Sequence, residues 1–304
     1  MTDHTTIEWT DRTWNPVTGC TKVSAGCDHC YAETIAERFR GGPAFPNGFD
    51  LQLREGKLGD PLRWRKPSKV FVNSMSDLFH DDIPDEYIAQ VFAVMAMAPQ
   101  HTFQVLTKRH ARMRSLLSSR SFPELVTTWA WRIKPVAAAE LPRGNSDYSA
   151  SAVAWPLPNV WLGVSVEDQK WADIRIPALL CTPAAVRFIS AEPLLDPVDL
   201  CTCSEPDYQD ERCSLHGATR LDWVIVGGES GRSARPMELH WAQELRDQCV
   251  HAGVAFHFKQ WGEWDPDYDS TDPILGHPMR RIGKKVAGRE LDGRTWDEFP
   301  AVAS

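Results

Sequence analysis

A chain of 304 residues, 42% hydrophobic and 24% charged, has the length for one large α/β domain or two smaller ones. Its net charge of −8 argues against a protein that coats nucleic acid without sequence preference, because phosphate binding calls for a cationic surface; a local basic groove is still allowed. The first residues, MTDHTTIEWTDRTW, have neither a basic start nor an apolar run, and no stretch reaches the ~20 apolar residues of a membrane span, so a cytoplasmic protein with no signal peptide is expected.

Short Val-, Ile- and Phe-rich runs alternate with helical patterns in chain order. A first strand is expected around Thr13 to Val17, followed by the cysteine segment GCTKVSAGCDHCYAE and a helix over 32–40. Strands then follow at KVFVNS (69–74), TFQVLT (102–107), NVWLGVSV (159–166), VRFISA (186–191), DWVIVGG (222–228) and VAFHFKQ (254–260). None alternates strictly, as expected for strands covered on both faces. Helices are expected over 84–97, 112–118, 169–180 and 239–252, the last with Gly253 as its C-cap. This order predicts an α/β fold with a partial (β/α) barrel of six or seven parallel strands spanning residues 7–264. Two segments interrupt it: an exposed insertion over 119–157 and a small metal-binding insertion over 197–220. Residues 265–304 read as a C-terminal tail.

In a reducing compartment, eight cysteines read as metal ligands or buried thiols rather than disulfides. Cys181 and Cys249 fall on helical patterns and are expected to be buried. Cys20, Cys27 and Cys30 form C-x6-C-x2-C between a strand and a helix. Three thiolates hold three irons of a cubane cluster and leave the fourth open to a ligand. Half of a zinc site, completed by His29 or His4, and three buried thiols are the other readings.

The cysteine segment resembles the cluster loop of the radical S-adenosylmethionine (SAM) superfamily, whose usual spacing is C-x3-C-x-Φ-C. The first gap is wider here, and His29 stands at the aromatic position, with Tyr31 after the last cysteine. WNPVTGC, NSMSDLF, LTKR, GVSVED, AEPLL and VIVGGESG follow in order, each at a predicted strand's C-terminal end, where barrel enzymes place their sites. Together they are similar to a phage-associated family of radical-SAM-like proteins, and the LTK segment is distantly similar to the spore photoproduct lyase branch. The resemblance implies a [4Fe–4S] cluster on Cys20, Cys27 and Cys30 that cleaves SAM and generates a 5′-deoxyadenosyl radical, with an electron donor as partner. It implies SAM contacts from His29, Tyr31, Ser76, Asp77, Ser165, Glu167, Glu192, Gly227 and Gly228. Asp77 reads equally well as a helix cap, Ser165 and Glu167 as ligands or an N-cap, and Glu192 as a carboxylate paired with SAM or Lys108.

A second group, C-x-C-x9-C-x2-H, offers Cys201, Cys203, Cys213 and His216 to a tetrahedral zinc ion; a second Fe–S cluster and an unligated loop are the alternatives. Lys108, Arg109 and Arg112, in a run of cations, together with Lys259 and Trp261 at the last strand, are expected at a substrate, nucleic acid or a nucleotide first. The packing of a strand end explains Trp261 equally well. A peptide-modifying radical SAM enzyme and a non-catalytic zinc protein that binds nucleic acid or a protein are the rival functions.

Overall fold

The structure is a computed structural model and describes residues 5–139, 141, 153–201, 213–267 and 278–301. The chain divides into two compact units, one of Met1–Thr21, Ala32–Gly163 and Cys181–Ala185, the other of Lys22–Tyr31, Val164–Leu180 and Val186–Ser304.

The first unit contains β1 (Arg12–Trp14), β2 (Val17–Thr18), most of α1 (Tyr31–Arg38), β3 (Gln52–Leu53), α2 (Glu55–Leu58), β4 (Lys69–Val72), α3 (Asp85–Ala96), β5 (Thr102–Thr107), α4 (His110–Leu117), α5 (Phe122–Ile133), α6 (Pro135–Ala139) and the start of β6 (Val160–Ser165). In the second unit, β6 ends and is followed by α7 (Gln169–Leu180), β7 (Val186–Ala191), β8 (Trp223–Gly227), α8 (Leu239–Ala252), β9 (Ala255–Gln260), β10 (Trp264–Pro266), β11 (Met279–Arg281) and α9 (Lys284–Ala287).

Seven parallel strands run in the order β1-β4-β5-β6-β7-β8-β9, the α/β architecture expected of a partial barrel. In the first unit, Val70 of β4 lies beside Phe103 of β5, and the Phe103 N–H donates to Asn159 O at 2.8 Å. In the second, Phe188 of β7 lies beside Trp223 of β8, and Trp223 beside Ala255 of β9. β6 and β8 are buried along their whole length. Helices cover both faces of such strands, which explains why their sequences are continuously apolar.

The helices form where their apolar spacing gives them a face to bury. α3 buries Ile88, Val91, Phe92 and Met95. Gly253 closes α8 in the left-handed conformation at φ 65°, as a C-cap glycine should.

Three expectations are corrected. The segment 119–157 is not simply an exposed insertion: α5 buries Phe122, Val126 and Ala130, an i, i+4, i+8 face, and Phe122 and Trp155 stack with Phe92 of α3 at ring separations of 5.5–5.6 Å. Residues 140 and 142–152 of it lie outside the described residues. The C-terminal region is not merely a tail, because β11 pairs antiparallel with β10, and Trp296 O accepts the Phe258 N–H at 2.9 Å. Cys249 is buried as expected, and burial pushes its thiol pKa up, whereas Cys181 is exposed beyond the end of α7.

Candidate cluster loop and its anchoring carboxylates

Cys20, Cys27 and Cys30 are half-buried thiols on the segment between β2 and α1. Cys20 closes the N-terminal run of the first unit. Gly19 before it has φ +85°, and a Cβ there would stand 2.2 Å from Asp50 O, so only glycine passes. The Gly19 N–H donates to Met75 O at 3.0 Å, and Ser76 Oγ donates to Val17 O at 2.9 Å. Ser76 thus ties the strand before the cysteine to the loop after β4.

Thr21, next in sequence, is held by two groups. Its Oγ1 lies 2.9 Å from His80 Nε2 and accepts from Arg109 Nη2 at 2.6 Å. His80 Nδ1 accepts the Asp82 N–H at 3.2 Å, so the neutral ring carries its proton on Nε2. Burial, helped by the Arg109 charge, holds the His80 pKa below its ordinary value.

Asp77 is buried, and its carboxylate accepts from Thr107 Oγ1 at 2.7 Å, the Lys108 N–H at 2.9 Å and the Phe79 N–H at 3.0 Å. It joins the loop after β4 to the end of β5. Arg109 also pairs with Asp81 at 2.7 Å, while Arg112 donates to His80 O and Ile83 O and pairs with Asp85 at 2.8 Å. Both guanidiniums are therefore engaged within the chain.

In the second unit, residues 22–31 are fastened at two points. Glu167, beyond the end of β6, accepts from Ser24 Oγ at 2.6 Å and from Arg175 Nη1 at 2.7 Å, and both charged side chains have no exposed surface. Arg175 also donates to Ser165 O at 2.8 Å and lies 3.9 Å from the centroid of the Trp171 ring. A Cβ on Gly26 would meet the Glu167 side chain at 2.5 Å, so the glycine lets the loop approach the carboxylate. The second fastening is Glu229, beyond β8. Its carboxylate lies 3.1 Å from His29 Nδ1 and accepts from Arg235 at 2.7–3.0 Å. Burial would raise the Glu229 pKa, but the Arg235 and His29 hydrogen bonds outweigh it and hold the carboxyl below its ordinary range. Arg235 reaches the loop itself, donating to Ala25 O at 2.9 Å and lying 3.4 Å from Asp28.

The other expected site residues have the following surroundings. Tyr31 opens α1 and is exposed. Glu192 pairs with Lys259 at 2.6 Å, and Gln260 Nε2 lies 3.4 Å from the same oxygen, so Lys259 answers a carboxylate of its own chain. Gly227 faces Glu192 at ordinary contact distance. A Cβ on Gly228 would stand 1.9 Å from Trp261 O, so that glycine admits a neighbouring backbone. Trp261 is buried, donates to Glu290 O at 2.7 Å and packs on Phe258 at 4.8 Å, the strand-end packing that was one of its two readings.

Cys201, Cys213 and His216 are drawn together, with donor atoms 3.4–3.8 Å apart; Cys203 lies outside the described residues. Among the described residues, no helix is long and apolar enough to cross a membrane. Sequence reasoning missed Ser24, His80, Arg175, Glu229 and Arg235. The one available signal was the glutamate inside GGESG, whose glycines drew the attention.

The fold and loop define a class: an α/β protein whose cysteine-bearing loop is held by charged residues beyond the ends of parallel strands. The chain belongs to the family described as "Protein of unknown function (DUF5131)", whose model matches residues 4–300. None of the curated proteins matches it. Among solved structures it is similar to "Spore photoproduct lyase complexed with dinucleoside spore photoproduct", at 10% identity over 80% of this chain and 73% of that one, with a TM-score of 0.43.

Proposed function

We propose that the protein is a radical SAM enzyme, with Cys20, Cys27 and Cys30 as the ligands of a [4Fe–4S] cluster. The observation that carries the reading is the fastening of residues 24–29 by Glu167 and Glu229 beyond the C-terminal ends of β6 and β8. That edge of a parallel sheet is where α/β proteins bind their cofactors. The donor chemistry supports the reading, because three half-buried thiols within eleven residues of sequence are the ligand type and number that an open-iron cluster takes. When bound, the cluster would supply the electron that cleaves SAM to methionine and a 5′-deoxyadenosyl radical, drawing it from a one-electron donor.

The chain's own residues position this loop. Glu167 and Arg175 hold Ser24; Glu229 and Arg235 hold His29, Ala25 and Asp28; His80 and Arg109 hold Thr21. Each holds a residue within three positions of a cysteine, as ligands of a preorganised site require. The proposal concerns the cofactor chemistry. Arg109, Arg112, Lys259 and Trp261 are engaged inside the chain, so a nucleotide or nucleic-acid substrate would need contacts beyond these.

Anaerobic reconstitution tests the reading. Wild-type protein should take up about four irons and matching sulfide, and Cys20→Ala, Cys27→Ala or Cys30→Ala should each abolish this, since each thiolate binds one iron. Zinc bound at these three cysteines, or iron retained in all three variants, would overturn it.

A further inference from the structure

We propose that Cys201, Cys213 and His216 bind a zinc ion that staples the connection between β7 and β8. This proposal is independent of the reading of the N-terminal thiols, and the whole group lies within the second unit. The sulfurs of Cys201 and Cys213 are 3.8 Å apart, and His216 Nδ1 lies 3.7 Å from the first and 3.4 Å from the second. Around tetrahedral zinc, bond lengths of ~2.3 Å to sulfur and ~2.0–2.1 Å to nitrogen set the ligand edges at ~3.8 Å for S···S and ~3.6 Å for S···N. The three donors already form one triangular face of that tetrahedron. A disulfide would bring the sulfurs to ~2.05 Å. Two thiols with an imidazole are a soft and borderline set that selects zinc over magnesium or calcium.

The local backbone builds this face. The Gly217 N–H donates to Cys213 O at 2.9 Å, closing a turn that carries Cys213 and His216 together. Ser214 Oγ donates to Leu200 O, the Leu221 N–H donates to Ser214 O at 2.8 Å, and the Leu200 N–H donates to Gln248 Oε1 of α8 at 2.7 Å. Leu200, Leu215 and Leu221 are buried, and Cys213 has no exposed surface. The site thus joins the residue that leaves β7's connection at 201 to the one that returns at 213, both fixed against the body of their own unit. Closing that loop restricts the unfolded chain, as a metal clip does.

The test uses the full chain, purified without chelator. Elemental analysis should find about one zinc per chain, lost in Cys213→Ser and in His216→Ala. A second measurement, which does not depend on either variant folding, uses cobalt(II) in a Cys20→Ala/Cys27→Ala/Cys30→Ala background, where the N-terminal thiols cannot contribute. Tetrahedral d–d bands with thiolate-to-cobalt charge transfer are expected, and one equivalent of zinc should bleach them. Chelation of the zinc form should lower its thermal midpoint. A pale octahedral cobalt spectrum, iron and sulfide in place of zinc in that background, or a Cys201–Cys213 disulfide found by mass spectrometry would each overturn the proposal.

Discussion

Glu167 has no surface exposed to water, so its charge must be answered inside the chain, and Arg175 answers it at 2.7 Å with equally little exposure. Such a pair contributes little to net stability but is costly to break. Arg175→Met should destabilise the protein by about 3–5 kcal/mol in urea unfolding, because it strands a buried carboxylate. The double change Glu167→Gln/Arg175→Met should recover much of that loss; a double variant as unstable as the sum of its singles would show that the two side chains act separately. His80 makes a pH-dependent contribution. Its folded pKa lies below the ordinary 6.5, so on acidification the unfolded chain takes up the proton first. The stability from the neutral ring is therefore complete above about pH 6.5 and is lost as the pH falls toward the folded value. The urea midpoint of the metal-free chain should drop through that window and flatten in His80→Gln. An equally steep drop in the variant would assign the effect to other groups.

At the scale of elements, the long strands and helices are legible in the sequence because each buries a contiguous local pattern. β6, apolar up to Ser165, and β8 are buried throughout. The two-residue pair of β2 and β3 is not legible, since so short a ladder forms only where tertiary contacts bring it together. The helical face of α5 was present in the sequence at Phe122, Val126 and Ala130, but the polar stretch after it masked it. Of the cysteine loop, the spacing was legible and the fastening was not. Ser24 meets Glu167 across 143 residues and His29 meets Glu229 across 200, and contacts at such separation leave no periodic trace. Glycines divide the same way. Gly228→Ala drives a Cβ into Trp261 O at 1.9 Å and should cost more than about 2 kcal/mol or yield insoluble protein. Gly56→Ala, in α2 with nothing within 4 Å, should instead stabilise by about 0.5–1 kcal/mol. Equal thermal midpoints for the two variants would contradict the close approach of β8's end to Trp261.

For the whole molecule, the features converge on a loop whose three thiols follow one spacing and whose backbone is held by charged residues. The cations expected at a substrate pair within the chain: Arg109 with Thr21 and Asp81, Arg112 with Asp85, Lys259 with Glu192. The net charge of −8 does not favour sequence-independent binding to nucleic acid. Cofactor chemistry, not an electrostatic surface, is therefore the central claim. The measurement that tests it most directly is the product of SAM incubated with the reconstituted, dithionite-reduced protein under anaerobic conditions. 5′-Deoxyadenosine and methionine should form in equal amounts, slowly and without added substrate, and neither should form with Cys27→Ala. Intact SAM after incubation with protein carrying its full complement of iron would contradict it.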